Sequence, residues 1–284
     1  MLSFLYHVGY FVLDTNIQYK DSTTKTVNSN NKVGAYVINL ERSKKRYEYV
    51  KNNIMALGIS VERISAIDGN TFSQEQVNST VDLQSYKQFL GHFPKLGTIG
   101  CSLSHIKSWQ TFLDSNFEFA IIFEDDVSFD HEKLRIMIDE LVENNKLWDI
   151  NSFEISHNGT PLTIKSFSNN QKLVVYLTEV THAGAYIINR KAAQRLLEKA
   201  LPIRMPIDHY FTRAWEFDIK FTAIENPRLV YQTFGISEIA KTPKLQEEKM
   251  PIFTIIKRGL YKSQSYVIRF LYNLKIYILS FGVV

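Results

Sequence analysis

Short apolar runs, each bounded by a turn signal or a helix-patterned segment, recur along the chain, and this alternation limits the fold more than any other feature. Gly34-Ala35-Tyr36-Val37-Ile38-Asn39-Leu40 is too short and too uniformly apolar for a surface helix and suits a buried strand. Ser43 can cap a helix over about 44–57, and Gly58 stands where that helix would stop. A second strand, Val61 to Ile67, closes on the turn pair Asp68-Gly69, and residues 70–96 read as polar and irregular. Gly97 and Gly100 precede a helix from about Cys101 to Leu113. The strand Ala120-Ile121-Ile122-Phe123 follows, then a helix near 131–145 and short strands near 150–155 and 172–177. Ala185 to Ile188 and a helix over about 190–200 complete the series. Strand and helix in alternation predict an α/β layer fold around a mostly parallel sheet.

No internal repeat is present, so a single domain over 33–240 is the simplest division. Residues 1–32 form an N-terminal extension and polar linker. Their first 13 residues are mostly apolar, but no Lys or Arg precedes Lys20 and no small-residue cleavage site follows, unlike a secretory signal. Cys101 is the single cysteine and has no internal disulfide partner, so nothing requires an oxidising compartment. The net charge of +4 is unevenly placed. No acidic residue follows Glu248, whereas Lys249, Lys257, Arg258, Lys262, Arg269 and Lys275 do, which leaves 27 basic against 29 acidic residues before them.

That tail, 241–284, carries an amphipathic pattern. At helical spacing Ile256, Leu260, Val267, Phe270, Leu271, Leu274, Ile278 and Phe281 share an arc of roughly 100°, and the basic residues share another of roughly 140°. The pattern predicts contact with an anionic membrane surface through residues 251–284. The alternative is that the apolar face docks on the domain, and Gly259 with Ser263–Ser265 could divide the segment into two helices. Arg269, Asn273 and Lys275 interrupt it too often for a membrane span. A nucleic-acid partner is not expected, because the body has no basic groove and the basic residues accompany an apolar face.

The apolar strand 120–123 runs directly into Glu124-Asp125-Asp126. Ligands of open α/β sheets bind beyond the carboxyl ends of strands. Alternation along a strand sends Glu124 and Asp126 to one side and Asp125 to the other. Three adjacent carboxylates repel unless a cation or donor groups stabilise them, and Mg²⁺ or Mn²⁺ suits an all-oxygen set. The other reading is a helix start whose acidic residues complement its dipole. In Gly97-Thr98-Ile99-Gly100-Cys101-Ser102-Leu103-Ser104-His105, the glycines allow close backbone approach, and the first-turn N–H groups can receive an anion. His105 is a base, a sugar contact or a packed histidine. Arg42 stands where a strand ends and can reach a nucleotide or a carboxylate, and Asp208 is a candidate base or an N-cap.

Taken in order, these segments resemble glycosyltransferase family 25, the bacterial lipooligosaccharide biosynthesis family related to the collagen galactosyltransferases. The resemblance runs through Tyr36 to Ser43 with Arg46, Ser65 to Gly69, Gly97 to His105, Ile121 to Val127 and Trp148 to Ile150. It continues in Gly184 to Ile188, Pro206 to Asp208 and Pro227 to Gln232, and so covers about 34–240. Two departures stand out: Thr98 replaces a Glu found in many relatives, and Gln232-Thr233-Phe234-Gly235 lacks a His that some collagen-modifying relatives carry.

The resemblance implies a GT-A-type fold binding a nucleotide sugar, most simply UDP-galactose, with Mn²⁺ or Mg²⁺. It implies Asp126 as direct metal ligand and Glu124 as a metal or donor contact, and Asn39, Arg42, Asp68 and His105 at the donor. The implied reaction is inverting transfer of a hexose to a lipooligosaccharide acceptor, with Asp208 as base and Asp125 as the substitute for it. A catalytically silent binder that keeps the fold is the other class. The implied location is cytoplasmic, peripheral on the inner face of the bacterial inner membrane.

Overall fold

The computed structural model describes residues 32–155, 159–225, 228–232 and 252–282. Its centre is an eight-stranded sheet built from β1 (Val33–Asn39), β2 (Ser60–Ser65), β3 (Phe119–Glu124), β5 (Ile150–Ser152), β6 (Pro161–Ser166), β7 (Lys172–Tyr176), β8 (Ala185–Asn189) and β9 (Phe221–Glu225), in the order β2-β1-β3-β8-β5-β9-β7-β6. β1 pairs in parallel with both β2 and β3, and β5 with β9. β8 and β7 run antiparallel to their neighbours, so the other six strands share one direction. This is the mostly parallel α/β sheet that the alternation predicts. A separate two-stranded ribbon joins β4 (Val127–Phe129) to β10 (Val230–Gln232).

β1 is buried along its whole length because helices cover both faces of the sheet. Side chains alternate: Tyr36 and Ile38 pack on one face with Ile106, Trp109 and Phe112 of α4 (Leu96–Asp114). Ala35 and Val37 pack on the other with Val50 and Ile54 of α1 (Lys44–Met55) and Leu134, Met137 and Ile138 of α5 (His131–Glu143). Each Val, Leu, Ile, Met or Phe side chain among these contributes roughly 1.5–3 kcal/mol when fully buried.

Two local expectations are corrected. The stretch 70–96 is not irregular: it holds α2 (Gln74–Thr80) and α3 (Leu83–Leu90). The signals were present, since Ser73 and Gln76 form a reciprocal capping box, Asp82 caps α3, and Gly91 ends it at φ 90°. α4 begins at Leu96, not Cys101, so both of its glycines lie inside the helix. Gly100 is required there, because a Cβ would overlap the Ile67 carbonyl oxygen and stand 2.6 Å from the Gly69 nitrogen. That close approach seats the turn Gly69–Thr71 on the start of α4.

After β8 come α6 (Arg190–Leu197) and α7 (Ile207–Phe211), and α8 (Ile252–Ser280) follows β10. α8 is one continuous helix; Gly259 and the serines do not divide it. The proposed extension 1–32 lies outside the described residues except for Lys32, as does the boundary near 240.

Candidate active site

The carboxyl ends of β1, β2 and β3 open into a cleft with about 710 Å³ of space, counting the part open to solvent. Arg42 and Ser43 line it from the β1–α1 turn and Arg46 from the first turn of α1, Asp68, Gly69 and Asn70 from the turn after β2, Gly97, Cys101 and Ser104 from α4, and Glu124, Asp125 and Asp126 from the end of β3. Backbone register makes this convergence: Ile38 is paired with both Ile64 and Glu124, so the three strands end side by side.

Each carboxylate of the triplet has a different environment. Asp125 accepts from Asn39 Nδ2 at 2.6 Å and lies 3.5 Å from the Arg46 guanidinium. Burial nevertheless raises its pKa, with the Glu124 charge adding to that and Asn39 and Arg46 opposing it. Asn39 is itself fixed by Arg63 Nε, which donates to its Oδ1 at 2.9 Å. Asn39 is buried beneath the cleft and touches the triplet, not the open space. Asp126 is pushed up to about 7, by burial first and then by the Glu124 and Asp125 charges, with Arg46 opposing.

Glu124 rests on a buried relay. Trp109 Nε1 donates to the Tyr186 hydroxyl at 2.9 Å, and the hydroxyl lies 2.9 Å from His105 Nδ1. A carboxylate accepts only, so the proton of a neutral imidazole belongs on Nε2, facing Glu124 Oε1 at 3.4 Å, and the Tyr186 hydroxyl donates to Nδ1. Cys101 Sγ donates to the same oxygen at 3.7 Å. Burial raises the Glu124 pKa, but the hydrogen bonds from His105 and Cys101 outweigh it, and the carboxyl is held below its ordinary range. His105 is thus a packed histidine with a function, supporting Glu124 from below and absent from the cleft lining.

Across the cleft Arg42 is ion-paired with Asp68. Burial raises Asp68, yet the Arg42 hydrogen bond and the Asn70 backbone N–H bring it below its usual value. Asp208 stands apart from the lining. It sits in the first turn of α7 after the cap Pro206, and its oxygens accept from the His182 and His209 backbone N–H groups at 3.3 and 2.9 Å. Its charge still reaches Cys101, whose thiol is pushed well up by burial, then by Glu124, then by Asp208.

Beyond β8 lies a group that the sequence reading missed. Glu154, just past β5, is 3% exposed, and its Oε1 lies 3.6 Å from His182 Nδ1. Its Oε2 is buried without a hydrogen-bond partner. The Glu154 hydrogen bond is the leading cause of a raised His182 pKa. Gly184 makes room for this carboxylate, since a Cβ there would overlap Glu154 Oε2, and its carbonyl accepts from the Glu124 N–H at 2.8 Å. The signal available in the sequence was an acidic residue near the end of the strand predicted at about 150–155. Arg46 was legible only through the family resemblance of the segment that follows β1.

Two donor sets meet a cation differently. Cys101, His105 and Glu124 place metal-capable atoms within 4.8 Å of one another. That set is soft, and the raised thiol disfavours the thiolate a metal would need. The oxygen-only end of β3 fits a hard divalent cation, and the mutual repulsion felt by Asp126 is what a cation would relieve.

A sheet whose carboxyl edge gathers basic residues, a helix start and a carboxylate triplet has the ligand-binding edge of an open α/β fold. The family model "Glycosyltransferase family 25 (LPS biosynthesis protein)" matches residues 33–211, and the chain belongs to that family. A glycosyltransferase 25 family member of Aedes aegypti is 28% identical over 62% of this chain and 30% of its own length. Human procollagen galactosyltransferase 2 is 26% identical over 70% of this chain and 34% of its own. The chain thus spans about a third of the length of these relatives. Among solved structures, S. aureus TarS 1–349 in complex with UDP-GlcNAc overlaps 74% of this chain and 61% of its own, at 15% identity and a TM-score of 0.41.

Proposed function

We propose that this chain transfers a hexose from a nucleotide sugar, UDP-galactose being the simplest donor, to a core sugar of a lipooligosaccharide, with inversion and with Mn²⁺ or Mg²⁺. The observation that carries the reading is the cleft itself, where Arg42, Arg46 and the start of α4 face the Glu124-Asp125-Asp126 triplet across the carboxyl ends of three parallel strands. Family membership and relatives named galactosyltransferases support the sugar chemistry. The parallel group β2-β1-β3, with its acidic end, supports the GT-A type.

In this reading Asp126 would hold the cation, whose chemistry is to offset charge growing on the leaving diphosphate. Arg42 and Arg46 add fixed positive charge there. Glu124, oriented by His105 and Cys101, contacts the donor sugar. The acceptor hydroxyl approaches opposite the diphosphate and gives its proton to Asp208, close to but outside the donor cleft. Asp125, engaged by Asn39 and Arg46, orients the loop and is the weaker candidate base. The chain would work in the cytoplasm, peripherally on the inner face of the inner membrane that carries the acceptor.

The test is incubation of the purified chain with Mn²⁺, a panel of radiolabelled UDP-sugars and a truncated lipooligosaccharide. Transfer from one donor is expected, lost in Asp208→Asn with donor binding retained. Binding of UDP-sugar without turnover on any acceptor tried would favour the silent binder. Retained turnover in Asp208→Asn would remove that residue from the base role.

A further inference from the structure

The face on which α8 meets the body is the opposite of what its composition suggests. The inward residues are mainly polar: Arg258 donates to the Phe89 and Leu90 carbonyls, Arg213 to Ser265, Arg269 to Glu179, and Asn273 to the Tyr176 carbonyl at 2.6 Å. Ser265, Arg269, Asn273, Ile276 and Ser280 are buried. The alternative in which the apolar face docks on the domain is therefore corrected. Ile252, Ile256, Leu260, Val267, Phe270, Leu271, Ile278 and Phe281 are all exposed. At 100° per residue they fall within an arc of about 100° pointing away from the body, along 29 residues or about 43 Å.

We infer that this row is a docking surface for a lipid bilayer, lying in the interface plane. Three observations choose the occupant. The helix lacks any acidic residue, and exposed Lys257 and Lys275 border the row on one side; a second copy packed helix against helix would offer Lys275 no carboxylate, whereas anionic headgroups would meet it. Tyr266, exposed with its hydroxyl on Glu179, borders the other side, so both margins carry side chains with an apolar body and a polar tip, suited to headgroup depth. Among the described residues no helix is long and apolar enough to cross a membrane. The structure also changes the balance of forces. Arg258 and Arg269, counted in the sequence as part of a membrane-facing basic arc, are turned inward, so apolar insertion dominates and charge adds a smaller increment.

The inference stands apart from the activity reading, since its test measures no turnover. The full chain is floated with phosphatidylcholine vesicles with and without phosphatidylglycerol. It is expected to float with both, more strongly with the anionic ones, and added salt should remove only that increment. The variant Leu260→Ser, Val267→Ser, Leu271→Ser, Ile278→Ser alters only exposed positions and should lose flotation at least tenfold on both vesicles with its far-ultraviolet circular dichroism retained. Lys257→Gln with Lys275→Gln should lose only the anionic increment. Deleting residues 1–13 should leave flotation unchanged. The inference is overturned if the wild type does not float, if the serine variant floats undiminished, if the deletion abolishes flotation, or if the row instead drives self-association without vesicles.

Discussion

Asn39 illustrates how one buried side chain organises the cleft. It donates to Asp125 and to the Ser43 carbonyl and accepts from Arg63, which ties the end of β1 to β3 and to the start of α1. Asn39→Ala should leave Asp125 and Arg63 without that partner, cost about 1–3 kcal/mol in a urea titration, and weaken UDP binding measured by calorimetry. An unchanged urea midpoint would refute the bridging role. Tyr186→Phe removes the hydroxyl shared by Trp109 and His105 and should cost about the same, with a loss of turnover from misorientation of Glu124. Arg42, Asp68 and the triplet were legible because each stands at a strand end. Glu154 and His182 were not, because they meet only when β5 and the segment before β8 lie side by side.

At the scale of elements, α8 is pinned by Glu179, which lies 3.0 Å from His209 Nδ1 and 3.4 Å from Arg269 Nη2. The His209 hydrogen bond leads in holding its carboxyl down to about 2, with burial opposing and Arg269 assisting. A carboxyl depressed below its unfolded value of 4.5 contributes stability above that pH and loses it as pH falls toward about 2. The melting-temperature difference between wild type and Glu179→Gln should therefore be largest above pH 4.5 and shrink below it. A difference independent of pH would show that the ion pairs do not hold the helix. Gly100→Ala tests another element contact. The added methyl has to displace the backbone of Ile67, so a loss of about 1–3 kcal/mol is expected, together with weaker UDP binding.

For the whole molecule, donor and cation should stabilise the fold together. UDP at about 100 times its Kd adds about 2.7 kcal/mol, or roughly 5–10 °C for a domain of this size. The shift with UDP and Mn²⁺ should exceed the sum of the separate shifts, and Asp126→Asn should remove that excess while leaving a fold that melts cooperatively. Additive shifts in the wild type would argue against a cation at the triplet. The sequence by itself determined the α/β class, the strands β1, β3 and β8, the acidic strand end and the amphipathic tail, because each rests on local spacing of apolar and polar residues. Only the tertiary structure decided which strands run side by side, that His105 supports Glu124 from beneath, and that Glu154 joins the sheet edge. It also decided that α8 turns its arginines inward and its apolar row outward. A hydrophobic pattern specifies that a face is apolar, and the polar partners that Glu179, Arg213 and the Tyr176 and Phe89 carbonyls offer decide which face is buried.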